Sequence, residues 1–107
     1  MAAMNINKEQ FDKAMESGKA ILVDFWAPWC SYCRRIGPAY DKVAAQYAQG
    51  LEVVKVNIDE VPGLDDAYRV EYIPTLILFD AGLELGRVTA PGSKAAIDAF
   101  IEENLGV

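Results

Sequence analysis

The stretch AILVDFWAPWCSYC, Ala20 to Cys33, sets an almost unbroken apolar run against the only two cysteines of the chain. Ala20 to Ala27 is rich in strand formers and lacks strict alternation, the pattern of a central strand covered on both faces. One charge, Asp24, interrupts it. Beyond the run, Cys33, Ile36, Tyr40, Val43, Ala44 and Tyr47 fall on one side of a helix from Cys30 to about Gln49, which Pro38 is expected to kink and Gly50 to end. Cys30 therefore stands at a strand-to-helix corner. In open α/β sheets, that carboxyl end of the strands is where the useful crevice lies.

The spacing of the cysteines carries chemistry. Residues three apart on a helix have Cβ atoms about 5–6 Å apart, so small adjustments bring two sulfurs within disulfide geometry. A helix N-terminus offers partial positive charge and free N–H donors, which favour a thiolate at Cys30. Cys33, one turn further in and on the apolar face, keeps its proton longer. Cys30 reads as the nucleophile and Cys33 as the resolving thiol. Other readings compete. A structural disulfide closing so short a loop would remove little chain entropy from the unfolded state. Zinc wants four protein ligands, or three and a water, and the chain has no histidine and no third cysteine. Only a dimer sharing two cysteine pairs, around zinc or an iron–sulfur cluster, keeps a metal reading open. Two inert buried cysteines would need neither the corner nor the flanking Trp26 and Trp29.

Outward from this corner, the rest of the chain alternates. Asn7 and Gln10 resemble a capping box for a first helix carrying Phe11, Ala14 and Met15, which ends at Gly18 and follows a short strand around Ala3–Ile6. LEVVKVNID is a second buried-looking strand whose single interior charge is Lys55; VPGLDDAYRVEY is a short helical connection, and TLILFD a third apolar strand. Asp80 to Leu83 reads as a hairpin turn into ELGRVTA. Ser93 is the expected N-cap of a last helix with Ile97, Phe100, Ile101 and Leu105 on its apolar side. The order β-α-β-α-β-α-β-β-α predicts an α/β fold, a central mixed sheet with helices packed on both faces.

At 107 residues and 52% hydrophobic, the chain suits one domain with its own core, spanning residues 1–107. The net charge of −6 argues against nucleic acid and anionic membranes, which attract basic surfaces. No apolar stretch approaches the roughly 20 residues of a membrane span, and the start of the chain lacks a basic region followed by an apolar run. A cytoplasmic, reducing setting is expected. Acidic pairs such as Asp59-Glu60, Asp65-Asp66 and Glu102-Glu103 read as solvated surface.

VDFWAPWC, Cys33 with Pro38 five residues on, KVNID, IPTLILF and the SK-led final helix together resemble a thioredoxin, in the expected order over nearly the whole chain. The resemblance implies the thioredoxin fold, a cis bond between Ile73 and Pro74, and reversible dithiol–disulfide exchange with protein substrates. It implies no bound cofactor, a monomer, and electrons from a reductase, an NADPH-dependent thioredoxin reductase. In the implied cycle Cys30 attacks a substrate disulfide and Cys33 resolves the mixed disulfide. Burial in an apolar strand would raise the Asp24 pKa, and by family analogy Asp24 lies below the cysteines, with Lys55 as its charge partner, and carries the proton that Cys33 loses. A buried Asp–Lys pair serving structure alone is the competing reading. Trp29, Ser31, Tyr32, Tyr72, Ile73, Pro74 and Ala90 are the implied substrate surface, with the Ile73 backbone pairing to an extended substrate chain. Trp26 is expected to pack behind the site.

Several residues depart from the family pattern. Ser31-Tyr32 replaces the usual Gly-Pro, Tyr72 stands where small residues are common, Ala90-Pro91 stands where a glycine is usual, and Arg34 replaces a common lysine. A tyrosine in the second position resembles glutaredoxins, whose potentials lie near −200 to −230 mV, roughly, against about −270 mV for thioredoxin, so an upward displacement is expected. ELGRVTAPGS offers little for the glutathione site a glutaredoxin needs. A glutaredoxin-like or isomerase-like oxidoreductase of higher potential, and a metal- or cluster-binding dimer, are the alternative readings.

Overall fold

A computed structural model describes residues 2–106. The elements are β1 (Met4–Asn5), α1 (Lys8–Glu16), β2 (Ala20–Trp26), α2 (Ser31–Gln46), β3 (Glu52–Asn57), α3 (Leu64–Ala67), β4 (Thr75–Asp80), β5 (Leu83–Thr89) and α4 (Lys94–Leu105). The strands form one sheet in the order β1-β3-β2-β4-β5. β1, β3 and β2 run parallel, while β4 is antiparallel to both β2 and β5. The apolar run of β2 is thus the middle strand, hydrogen-bonded on both edges and covered on both faces.

Side chains alternate across β2. Ile21, Val23 and Phe25 join Phe11 and Ala14 of α1, Leu64 of α3, and Val54, Val56, Ile77 and Phe79 of the neighbouring strands in one core. Leu22 points the other way, into a second core with Ile36, Tyr40 and Val43 of α2 and Ile97, Phe100 and Ile101 of α4. Each of the buried Val, Leu, Ile and Phe side chains contributes about 1.5–3 kcal/mol. Asp24 shares the Leu22 face, so the one charged residue of the strand faces α2.

Local signals are realised at most boundaries. Asn7 and Gln10 form the reciprocal capping box of α1, and the Ser93 side chain accepts from the Ala96 amide at the start of α4. The hairpin turn puts Ala81 at φ 51° and Gly82 at φ 81°. Gly82 suits this turn twice over, because a Cβ there would also stand 3.0 Å from the Met15 carbonyl oxygen.

Several boundaries differ from expectation. Cys30 is the cap of α2 and not its first residue, with extended backbone at φ −86° and ψ 110°. α2 stops at Gln46 rather than Gln49, because tight turns take over: the amides of Gly50 and Leu51 both donate to the Tyr47 carbonyl. The first strand is shorter than Ala3–Ile6, since the Ala3 amide is diverted to the Asp41 carboxylate. Pro38 lies within α2. Among the described residues no helix is long and apolar enough to cross a membrane.

Candidate active site

β2 ends at Trp26, four residues bend across the carboxyl edge of the sheet, and α2 begins at Ser31. The Cys30 amide donates to the Ala27 carbonyl at 3.1 Å, which fixes that bend. Cys30 and Cys33 are joined in a disulfide, with Cα atoms 5.3 Å apart. Their surroundings differ sharply. Cys30 is partly exposed and its sulfur accepts from the Cys33 amide at 3.2 Å, taking the place of a capping oxygen at the helix N-terminus. A thiolate here would gain that same donor and the positive end of α2. Cys33 is 3% exposed.

Beneath the cysteines a crevice of about 360 Å³ is lined by Asp24, Trp26, Cys33, Pro38, Asp41 and Lys55, among others. Asp24 is buried and its Oδ1 has no hydrogen-bond partner. Burial pushes its carboxyl from the ordinary 3.8 up to about 7, a rise that the Lys55 cation only partly offsets. The structure refines the expected Asp24–Lys55 partnership. The two are direct neighbours in the parallel register of β2 and β3, but no salt bridge joins them among those within 4.0 Å. The Lys55 ammonium instead stands over the Trp26 ring, 4.5 Å from its centroid. The attraction on Asp24 acts through space, and the carboxyl stays unpaired.

Above the cysteines lies an apolar rim. Trp29 and Tyr72 are 65% and 71% exposed, large values for aromatic side chains beside a disulfide. The Ile73–Pro74 bond is cis. The Ile73 carbonyl oxygen lies 3.9 Å from Cys30 Sγ, which brings the two segments together across 43 positions of sequence. Tyr32 donates to the Pro91 carbonyl, and the Ala90 amide donates to the Pro74 carbonyl. Ser31 is exposed at the first position of α2. Every residue singled out from sequence thus lies either at this corner, in the crevice below it, or in the two loops that meet it.

Sequence reasoning missed several contributors. Asp59, read as solvated surface, accepts from Trp29 Nε1 at 2.9 Å and holds that exposed ring. Thr75 Oγ1 donates to the Tyr72 carbonyl and meets Thr89 Oγ1, tying the cis-proline segment to β5. The Asp59 signal was present in KVNID: buried Asn57 accepts from the Asp59 amide in a turn that aims this carboxylate. Among the described residues no group of three or more histidine, cysteine, aspartate or glutamate side chains is placed to hold a metal ion.

A two-cysteine disulfide on a helix cap, with a half-open first sulfur and a buried second, defines a dithiol–disulfide exchange site. Residues 2–103 match the thioredoxin family model. The chain is 42% identical over 106 residues to the thioredoxin of Acidithiobacillus ferridurans, covering 97% of both chains. It is 37% identical to thioredoxin 1 of a Nostoc species, over 97% of this chain and 98% of that one. A chloroplastic M-type thioredoxin of Chlamydomonas reinhardtii is 38% identical over 94% of this chain and 72% of its own length. The chain belongs to the thioredoxin family and is a thiol–disulfide oxidoreductase.

Proposed function

We propose that the chain is a reductase of protein disulfides in which Cys30 is the nucleophile, Cys33 the resolving thiol and Asp24 the proton acceptor. The Cys30 thiolate attacks one sulfur of the substrate disulfide, forming a mixed disulfide and expelling the other sulfur as a thiolate. Asp24 takes the Cys33 proton, and the Cys33 thiolate attacks Cys30 Sγ. That step releases the second substrate thiolate and leaves Cys30–Cys33 oxidised by two electrons. A carboxyl that titrates at about 7 suits the task, because it exchanges protons near neutrality. Electrons then come from a thioredoxin reductase that draws on NADPH. We further assign the chain to the cytoplasm, as a monomer. Trp29, Ser31, Tyr32, Tyr72, Ile73, Pro74 and Ala90 present the substrate surface, with the Ile73 backbone free to pair with an extended chain. Ser31-Tyr32 raises the potential above that of the Gly-Pro form.

The observation that carries these roles is the asymmetry of the two sulfurs, one capped and partly exposed, the other buried beside the Asp24 crevice. A trapping experiment tests it. Cys33→Ser should accumulate a stable mixed disulfide with a protein substrate through Cys30, seen by mass spectrometry, whereas Cys30→Ser should form none. Adducts carried by Cys33 instead would reverse the assignment.

A further inference from the structure

Tyr32 stands between the two cysteines, with its ring half buried against the core under α2 and α4. Its hydroxyl donates to the Pro91 carbonyl at 2.7 Å, across 59 positions of chain. From there the contacts continue without a gap. The Ala90 amide donates to the Pro74 carbonyl at 2.8 Å, Pro74 is bonded to Ile73, and the Ile73 carbonyl oxygen lies 3.9 Å from Cys30 Sγ. These contacts close a ring through Cys30 that joins the start of α2 to two loops far apart in sequence.

The loop at Ala90 does not hold its shape unaided. Its φ of 48° lies in the left-handed region, which alanine enters only at a cost that glycine avoids. The proline that follows favours extended backbone at the preceding residue, adding to the conflict. A conformation of this kind persists where surrounding contacts over-determine it. Two such contacts flank it here, the Ala90 amide on Pro74 and the Tyr32 hydroxyl on Pro91.

We infer that Tyr32 is a positioning residue that, through Pro91, holds the Ala90–Gly92 loop as a preformed wall of the groove where a substrate polypeptide lies along Ile73. A groove ordered beforehand spares the complex the entropy of ordering it on binding, so the contribution falls on recognition of a polypeptide rather than on the exchange of sulfurs. The inference rests on the reading of Ile73 as the substrate-pairing edge given above.

Tyr32→Phe keeps the ring and removes only the hydroxyl. Two measurements decide: amide hydrogen exchange at Ala90 by NMR, and KM and kcat for reduction of insulin disulfides with dithiothreitol as the recycling reductant. Loss of one neutral hydrogen bond should speed Ala90 exchange about fivefold and raise KM for insulin by about three- to fivefold, with kcat within about twofold. Unchanged exchange at Ala90 would overturn the inference. So would faster exchange with an unchanged KM, or faster exchange spread evenly over the core amides, since either leaves Tyr32 a purely structural role. Wild-type protein that reduced a small aromatic disulfide but left insulin untouched would refute the polypeptide reading itself, and the inference with it.

Discussion

The two faces of β2 use the same strand for opposite purposes. Ile21, Val23 and Phe25 are fully buried in an apolar core against α1 and α3. On the other face Leu22 is equally buried, but two residues on the same face carries Asp24, unpaired above the second core and open to the crevice under Cys33. One face gains stability from burial, and the other gives some of it up. An ionised carboxylate taken out of water without a partner opposes folding. It lies on the face that meets Cys33, and not on the one that meets α1, which is the placement the proposed proton transfer needs.

The largest effect expected from this contrast is on the apolar face. Phe25→Ala deletes a fully buried ring that packs with Tyr68 and the α1 core, and should destabilise the fold by about 3–5 kcal/mol. Urea unfolding measures it. A loss below about 1 kcal/mol would mean the face closes over the cavity and is not the rigid side of the strand.

On the opposite face the sign should invert. The Asp24 carboxyl has an ordinary value of 3.8 when unfolded and about 7 when folded. Between these values the folded state holds a proton that the unfolded state has lost, so stability falls as pH rises from about 4 to about 7 and then levels. Asp24→Asn removes that fall. At pH 8 the variant should be more stable than the wild type, by up to ~4 kcal/mol from the shift alone, with the gain vanishing below pH 4. The same substitution should slow resolution of the mixed disulfide and abolish its inflection near pH 7. Parallel unfolding and single-turnover pH series separate the two. A stability gain without any change in the pH–rate profile would leave Asp24 as a buried charge with no part in proton transfer.

What the sequence made legible follows from where the determining contacts lie. β2 and the corner could be read because the apolar run and the cysteines are contiguous, and each short-range signal agrees with the fold around it. Asp24 and Lys55 stood out as single charges in two buried-looking strands, and pairing puts them side by side. The rim was less readable. Trp29 meets Asp59 and Tyr32 meets Pro91 across 30 and 59 positions, respectively. Such contacts depend on how loops approach one another, which periodicity does not encode. Composition alone made Asp59 look like one acidic surface residue among many. The end of α2 escaped for a local reason, because the periodic pattern reaches Tyr47 while the turns that follow close on its carbonyl.

The smallest expected effect sharpens the comparison, because it concerns the one cation that offsets Asp24. Lys55 lowers the Asp24 value against the larger rise caused by burial, yet it makes no ion pair with it and lies over the Trp26 ring. Lys55→Met keeps an aliphatic stem of similar length against that ring and removes only the charge. The Asp24 carboxyl should then titrate higher still, since burial is left unopposed. The pH window over which stability falls should extend upward by the same shift, and the inflection in mixed-disulfide resolution should move with it. Loss of the cation over the ring should itself cost about 0.5–1 kcal/mol at this partly buried position. Carbon-detected NMR titration of the carboxyl reads the shift directly. A titration that stays where it is in the wild type would show that Lys55 serves Trp26 alone. The charged face of β2 would then owe its behaviour to burial without any tuning from β3.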